Sequence, residues 1–215
     1  ATPTPVTFAA QQRGTTSAAQ VVTVSNTGIG PITVTNITFT GANANNFAQT
    51  NNCPVAPAVL DAASVVGGTS SCTIDVTFAP TGLGTRTATM RVTDGAAGIV
   101  LTQNVSLSGV SVAPTASVTP TSLPFANQQL GSTSAIQVVT LTNTGLGPVS
   151  FNGAVLTGAS PGNFARVSHC PATLEAGATC TVDVTYTPLA LGTRTATLRL
   201  SEESGGITIT QDVSL

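Results

Sequence analysis

Nucleophilic or zinc-binding chemistry in this sequence would have to come from Cys53, Cys72, Cys170, Cys180 and the single histidine, His169. An imidazole beside a thiol is the pairing a cysteine nucleophile needs, because a neighbouring base favours the thiolate. His169 and Cys170 are adjacent, but the matching place in the first half reads Asn52-Cys53, so the imidazole is not part of a repeated pattern. Zinc asks for four Cys or His ligands at short spacings such as CxxC. Here the cysteines fall two to each half, far wider apart than that. The pattern points to one disulfide in each half, Cys53–Cys72 and Cys170–Cys180, and so to an oxidising compartment; buried free thiols are the alternative. No catalytic residue, cofactor site or metal site is expected, and neither a Gly-x-Ser-x-Gly elbow nor a glycine-rich phosphate loop occurs.

The charged residues are weak candidates. Asp94 and Glu202-Glu203 are read at equivalent turns, where they could touch calcium, but that ion wants six or more oxygen ligands. Asp75 and Asp183 are placed outward on one strand of a hairpin with Arg91 and Arg199 on the other, a diagonal surface ion pair of small value. Sugar platforms stack pyranose rings on exposed Trp or Tyr. This chain has no Trp, and its one Tyr, Tyr186, aligns with Phe78 at an inward position. Asn36-Ile-Thr38 and Asn104-Val-Ser106 are glycosylation sequons in a host that glycosylates what it secretes.

The elements that carry these residues repeat. Cys72-Thr-Ile-Asp-Val-Thr-Phe-Ala-Pro80 returns as Cys180-Thr-Val-Asp-Val-Thr-Tyr-Thr-Pro188, and Gly84-Thr-Arg-Thr-Ala-Thr-Met-Arg-Val92 as Gly192-Thr-Arg-Thr-Ala-Thr-Leu-Arg-Leu200. Apolar and polar residues alternate through both stretches, the period of a half-buried strand. With Pro80–Gly84 as the turn, each is read as a β-hairpin. Earlier, Phe8-Ala-Ala-Gln-Gln12 matches Phe125-Ala-Asn-Gln-Gln129, and Asn26-Thr-Gly28 matches Asn143-Thr-Gly145. Phe47 and Phe164, each after a Gly/Asn-rich loop, are expected to plug the core. The first copy holds nine more residues between its cysteines, a loop-like insertion around Ala56 to Thr69. Strands at turn-punctuated spacing with no helical period make an all-β chain of two tandem immunoglobulin-like β-sandwiches. The domains run 1–112 and 113–215, with Ser108–Pro120 as a connection stiffened by Pro114 and Pro120.

Composition narrows the function further. Only 7 % of residues are charged, there is no lysine, and the net charge is −2, so the basic footprint for nucleic acid or anionic membrane is missing. At 41 % hydrophobic residues the chain has material for two cores and is not disordered. No apolar run reaches membrane-spanning length. A start at Ala1 suits a processed mature form or an excised fragment.

The two copies resemble the ASH family, immunoglobulin-like domains named for abnormal-spindle and Hydin and related to major sperm protein. They look most like its bacterial version in secreted "choice-of-anchor D" proteins. The resemblance is carried by Ser25-Asn-Thr-Gly28 and Thr142-Asn-Thr-Gly145, by Asn46-Phe-Ala48 and Asn163-Phe-Ala165, by the cysteine pairs, and by Phe78-x-Pro80 and Tyr186-x-Pro188. It implies tandem sandwiches of seven or eight strands in structural or adhesive proteins, and no catalytic residues to transfer. One departure stands out: the second copy stops at Leu215, where the first continues Ser108-Gly-Val110, so its last strand is short or finished by a further repeat. The expected function is a non-catalytic structural or adhesive repeat of a secreted or cell-surface bacterial protein. Its partners would be proteins, or other copies joined into a filament through edge strands, with no nucleic acid and no membrane insertion. The alternative is an extracellular module that binds a glycan or a protein.

Overall fold

A computed structural model describes residues 1–54, 57–96 and 98–215. The chain divides into two compact units, Ala1–Val112 and Ala113–Leu215, each an immunoglobulin-like sandwich of two sheets.

In the first unit the strands are β1 (Val6–Thr7), β2 (Gln11–Gln12), β3 (Gln20–Ser25), β4 (Thr33–Thr40), β5 (Phe47–Asn51), β6 (Ser71–Phe78), β7 (Gly84–Ala96) and β8 (Ile99–Val112). One sheet runs β1-β8-β7-β4, with β2 also on β8, and the other runs β3-β6-β5. In the second unit they are β9 (Ala116–Thr119), β10 (Gln137–Asn143), β11 (Val149–Thr157), β12 (Phe164–Ser168), β13 (Thr173–Leu174), β14 (Thr179–Tyr186), β15 (Thr197–Ser204) and β16 (Ile207–Ser214). Its sheets run β12-β14-β10-β9 and β13-β11-β15-β16.

This topology corrects the hairpin reading. β6 pairs with β3 and β5, whereas β7 pairs with β4 and β8, so the two halves of the repeated stretch lie in opposite sheets. Alternation marks a strand and its buried face but does not name its partner. Ile74, Val76 and Phe78 on β6 face Met90 and Val92 on β7 across the core, all five fully buried. The turn through Pro80 crosses from sheet to sheet. The true hairpins are β7–β8 and β15–β16.

Two other expectations change. Ser108–Val112 is the end of β8 and Ala116–Thr119 is β9, so most of the supposed connection is strand. The insertion between Cys53 and Cys72 is not all surface loop, although Val55 and Ala56 lie outside the described residues. Leu60 is fully buried and bridges Ile32. It plays the part of Leu174, whose strand β13 pairs with β11.

Asparagine fixes the turn that brings this rung in. Asn26 Nδ2 donates to the carbonyls of Gly30 (2.8 Å) and Leu60 (3.0 Å), while its Oδ1 accepts from Gly28 N–H (2.9 Å). Asn143 repeats all three bonds with Gly147, Leu174 and Gly145. A buried amide with three bonds is satisfied, and it ties the turn to the opposite strand.

Candidate functional site

The structure joins Cys53 to Cys72 and Cys170 to Cys180, with Cα–Cα distances of 4.9 Å in both. Cys170 sulfur is therefore held in a disulfide and offers no thiolate. His169 Nε2 lies 3.1 Å from Asp183 Oδ2 on the exposed face between β12 and β14. In the first unit Asn52 holds the strand instead, its Oδ1 accepting from Thr73 N–H at 2.7 Å. Both residues tether the chain before the cysteine to the neighbouring strand.

The charged candidates are redistributed. Arg199 bonds Asp212 through two contacts of 2.8 and 2.7 Å across the β15–β16 hairpin, and not Asp183. That bidentate hydrogen bond, with the attraction between the charges, holds the Asp212 carboxyl below the usual carboxylate range. The counterpart of Asp212 is Asn104, exposed on β8 opposite Arg91, and Asn36 is likewise exposed on β4. Among the described residues the ion pairs are His169–Asp183 and Arg199–Asp212. No group of three His, Cys, Asp or Glu comes together among them, and no helix among them is long and apolar enough to cross a membrane.

Asp94 and Glu202 do not sit at exposed turns. They occupy equivalent places on β7 and β15 and are 1 % and 0 % exposed. Asp94 Oδ2 accepts from Gln103 Nε2 at 2.6 Å, and Gln103 Oε1 accepts from the Ala1 ammonium. Neither Glu202 oxygen meets a donor, and burial pushes its carboxyl up to about 7. The sequence signal was present, since Glu202 follows Leu198 and Leu200 at even spacing on the inward face. Its neighbour Glu203 masked that signal by suggesting a polar turn.

The second unit carries a cleft of about 400 Å³ at the end of the sandwich. Its floor is an aromatic trio, Phe125, Phe164 and Tyr186, with ring centroids 5.0–5.8 Å apart. Arg194, Leu191 and Leu215 stand at its rim. Arg194 Nε and Nη2 donate to the carbonyls of Ala190 and Leu191, which shapes the turn beside the cleft. Phe8, Phe47 and Phe78 form the same trio in the first unit at 5.1–5.9 Å, and there all three rings are buried. Tyr186 and Phe125 are only partly buried, so the inward reading of Tyr186 holds for its direction and not for its cover.

No protein-family model and no curated protein matches this chain. Among solved structures it is similar to the ASH/PapD-like domain 7 of human CEP192, at 18 % identity over 46 % of this chain and 82 % of that one, with a TM-score of 0.33. It is also similar to the Pseudomonas aeruginosa CupB2 chaperone, at 13 % identity over 99 % and 98 % of the two chains, with a TM-score of 0.34. A third match is the secreted serine protease VesC of Vibrio cholerae, at 14 % identity over 86 % of this chain and 46 % of that one, with a TM-score of 0.33. At these scores the matches carry no inference about partner or activity. The immunoglobulin-like fold stands on the chain's own sheets.

Proposed function

We propose that this protein is a non-catalytic structural or adhesive module of a secreted or cell-surface bacterial protein of the ASH type, joined to its neighbours through sheet edges. The observation that supports this most directly is where the backbone is left unpaired. β5 and β12 each close one side of a sheet, with Val167 on β12 58 % exposed. Edge strands of this kind can add a strand from another molecule. The disulfides suit an oxidising exterior. Sedimentation velocity across a wide concentration range tests the reading, together with electron microscopy of the native material. Concentration-dependent association or filaments are expected. Particles that stay monomeric in both would remove the filament.

A second reading, a module that binds a glycan or a protein, draws support from the aromatic cleft of the second unit. A glycan array in which a hit disappears with Tyr186→Ala would move the assignment there.

A further inference from the structure

Asn152 is the only asparagine in the chain that is followed by glycine. That pair has a chemistry of its own. A backbone nitrogen can attack the side-chain carbonyl of the asparagine before it and close a five-membered ring, and a glycine has no side chain to obstruct the approach. Every other asparagine is followed by a residue with a side chain, from Thr27 after Asn26 to Phe164 after Asn163. A paired, extended strand holds the nitrogen away from that carbonyl, so the backbone at residue 152 decides whether the ring can form.

There the ladder is interrupted. Along β11 and β15, Phe151 lies opposite Glu202 and Gly153 opposite Ser201, so Asn152 is the extra residue of a β-bulge. Gly153 has φ +125°, outside the extended range and suited to glycine, and a Cβ on it would meet nothing within 4 Å. On its other side β11 pairs with β13 only at Val149 and Ser150, so beyond the bulge it is a sheet edge. The Asn152 side chain is exposed and has no hydrogen-bond partner among the described residues. The first unit has the same bulge at Thr35, between Val34 and Asn36, but the Thr35 hydroxyl donates to Thr93 O at 3.1 Å and carries no amide. Asp94-Gly95, the chain's one Asp-Gly pair, could form the same ring but is locked. Asp94 is buried and accepts from Gln103, and a Cβ on Gly95 would collide with the Ile99 carbonyl.

We propose that Asn152 is a site of spontaneous deamidation, a slow chemical timer that turns an uncharged sheet edge into a charged and looser one. The Gly153 nitrogen bonds to Asn152 Cγ, the Cγ–Nδ2 bond breaks, and ammonia leaves with the proton that the Gly153 amide gives up. Water then opens the cyclic imide at either carbonyl. One product is an aspartyl residue at 152; the other is an isoaspartyl residue, whose backbone is longer by one methylene. No oxidant, metal or enzyme is required. Val149–Thr157 holds no charged residue, so the new carboxylate is the first charge on this strand, and a charged edge resists pairing with another strand. The isoaspartyl form also lengthens β11 at the bulge, which shifts Ser150 and Phe151 against Glu203 and Glu202. The claim stands apart from association through β5 or β12, since β11 belongs to a different sheet from either.

The test keeps the folded 215-residue protein at mildly alkaline pH and samples it over time. Fragment mass analysis locates each amide that has become an acid, and labelling by an isoaspartyl methyltransferase reports the isoaspartyl form. Asn152 is expected to convert at least about tenfold faster than any other asparagine. Its rate should rise in proportion to hydroxide, because the attacking nitrogen must lose its proton. Asn152→Thr, which borrows the residue of the matching bulge, should keep the fold and abolish the methyltransferase label. The converted fraction, separated by its added charge, should exchange amides faster than the parent at residues 149–151 and 201–203, with Leu198 and Val213 unchanged. If Asn152 stays intact in the folded protein while the reduced, denatured chain converts there, the ladder protects it and the proposal fails. It fails equally if another asparagine converts first, or if Asn152 is inert in both states. Unaltered exchange in the converted fraction would overturn the loosening of the edge.

Discussion

The two units are one sandwich written twice, and they differ at an aromatic trio that the end of β8 covers in the first. In the first, Ser108–Val112 closes the end of the core and Phe78 is fully buried. In the second, the same rings at nearly the same spacings form the floor of an open cleft. The trio does not depend on its cover for its geometry. It is set by β6 or β14, by the residue after the short 3-10 turn at Ala44–Asn46 or Pro161–Asn163, and by the Phe-Ala-x-Gln-Gln segment. Cover then decides how much each ring contributes to stability. The sharpest test is truncation of equivalent rings. Phe78→Ala should cost its unit roughly 3–5 kcal/mol, the usual range for a buried phenylalanine. Tyr186→Ala should cost less than half as much, about 1–2 kcal/mol, because part of that ring already meets water. Hydrogen exchange, read separately for the core amides of each unit, measures both; equal losses would break the comparison.

Next in size are the disulfides, where the units differ by loop length. Cys53 and Cys72 are 19 residues apart, Cys170 and Cys180 only 10. On the chain-entropy account each bond stabilises its unit by about 3 kcal/mol, the longer loop by about half a kcal/mol more. Replacing both cysteines of a pair by alanine, and following denaturant unfolding unit by unit, should rank them in that order.

Much of this was legible in the sequence, for reasons tied to particular residues. Even spacing of Ile74, Val76 and Phe78 is a local signal, and it marked the strand and its buried face correctly. Pairing of the cysteines followed from repetition. The strand's partners did not, because a turn such as Ala79–Leu83 can close a hairpin or cross between sheets, and the choice is made by contacts distant in sequence. Leu60 was lost in a stretch of small residues, held by partners distant in sequence, Ile32 through a backbone bridge and Asn26, 34 positions away, through its amide. The aromatic cleft was hidden for a different reason: Tyr186 occupies a core position, and its exposure depends on what packs over it from a distant part of the fold.

A third contrast concerns the buried carboxylates. Asp94 has Gln103 as donor, whereas both Glu202 oxygens are unpartnered in a fully buried place. The folded-state value near 7 against an ordinary 4.5 sets the sign. Below pH 4.5 the group is protonated whether the chain is folded or not. As pH rises from there to about 7 the unfolded chain releases the proton while the folded unit keeps it, so stability falls. Above 7 the loss levels off at about 3 kcal/mol. Glu202→Met keeps the length of the side chain and removes the charge. The variant should exceed the parent most at pH 8, with the gap narrowing by up to about 3 kcal/mol by pH 4. Asp94→Met, which strips Gln103 of its acceptor, should destabilise the first unit instead. A parent whose second unit is equally stable at pH 4 and pH 8 would contradict the Glu202 assignment.

The smallest effect is the most informative, because it asks whether the covering segment is separable from the sandwich it covers. Gly109→Ala places a methyl carbon against the Phe78 ring, within 2.6 Å on the present backbone. The ring cannot retreat, being packed on Phe8 and Phe47, so strand or ring must shift at a cost of about 1–3 kcal/mol. Where that cost falls is the issue. If Ser108–Val112 is a strand laid on a finished core, the methyl should lift the segment alone. Amide exchange would then rise at residues 109–112 and at Gly84–Arg86, while Met90 and Val105 keep their protection. If protection fell together across the whole first unit, the segment would be integral to its fold.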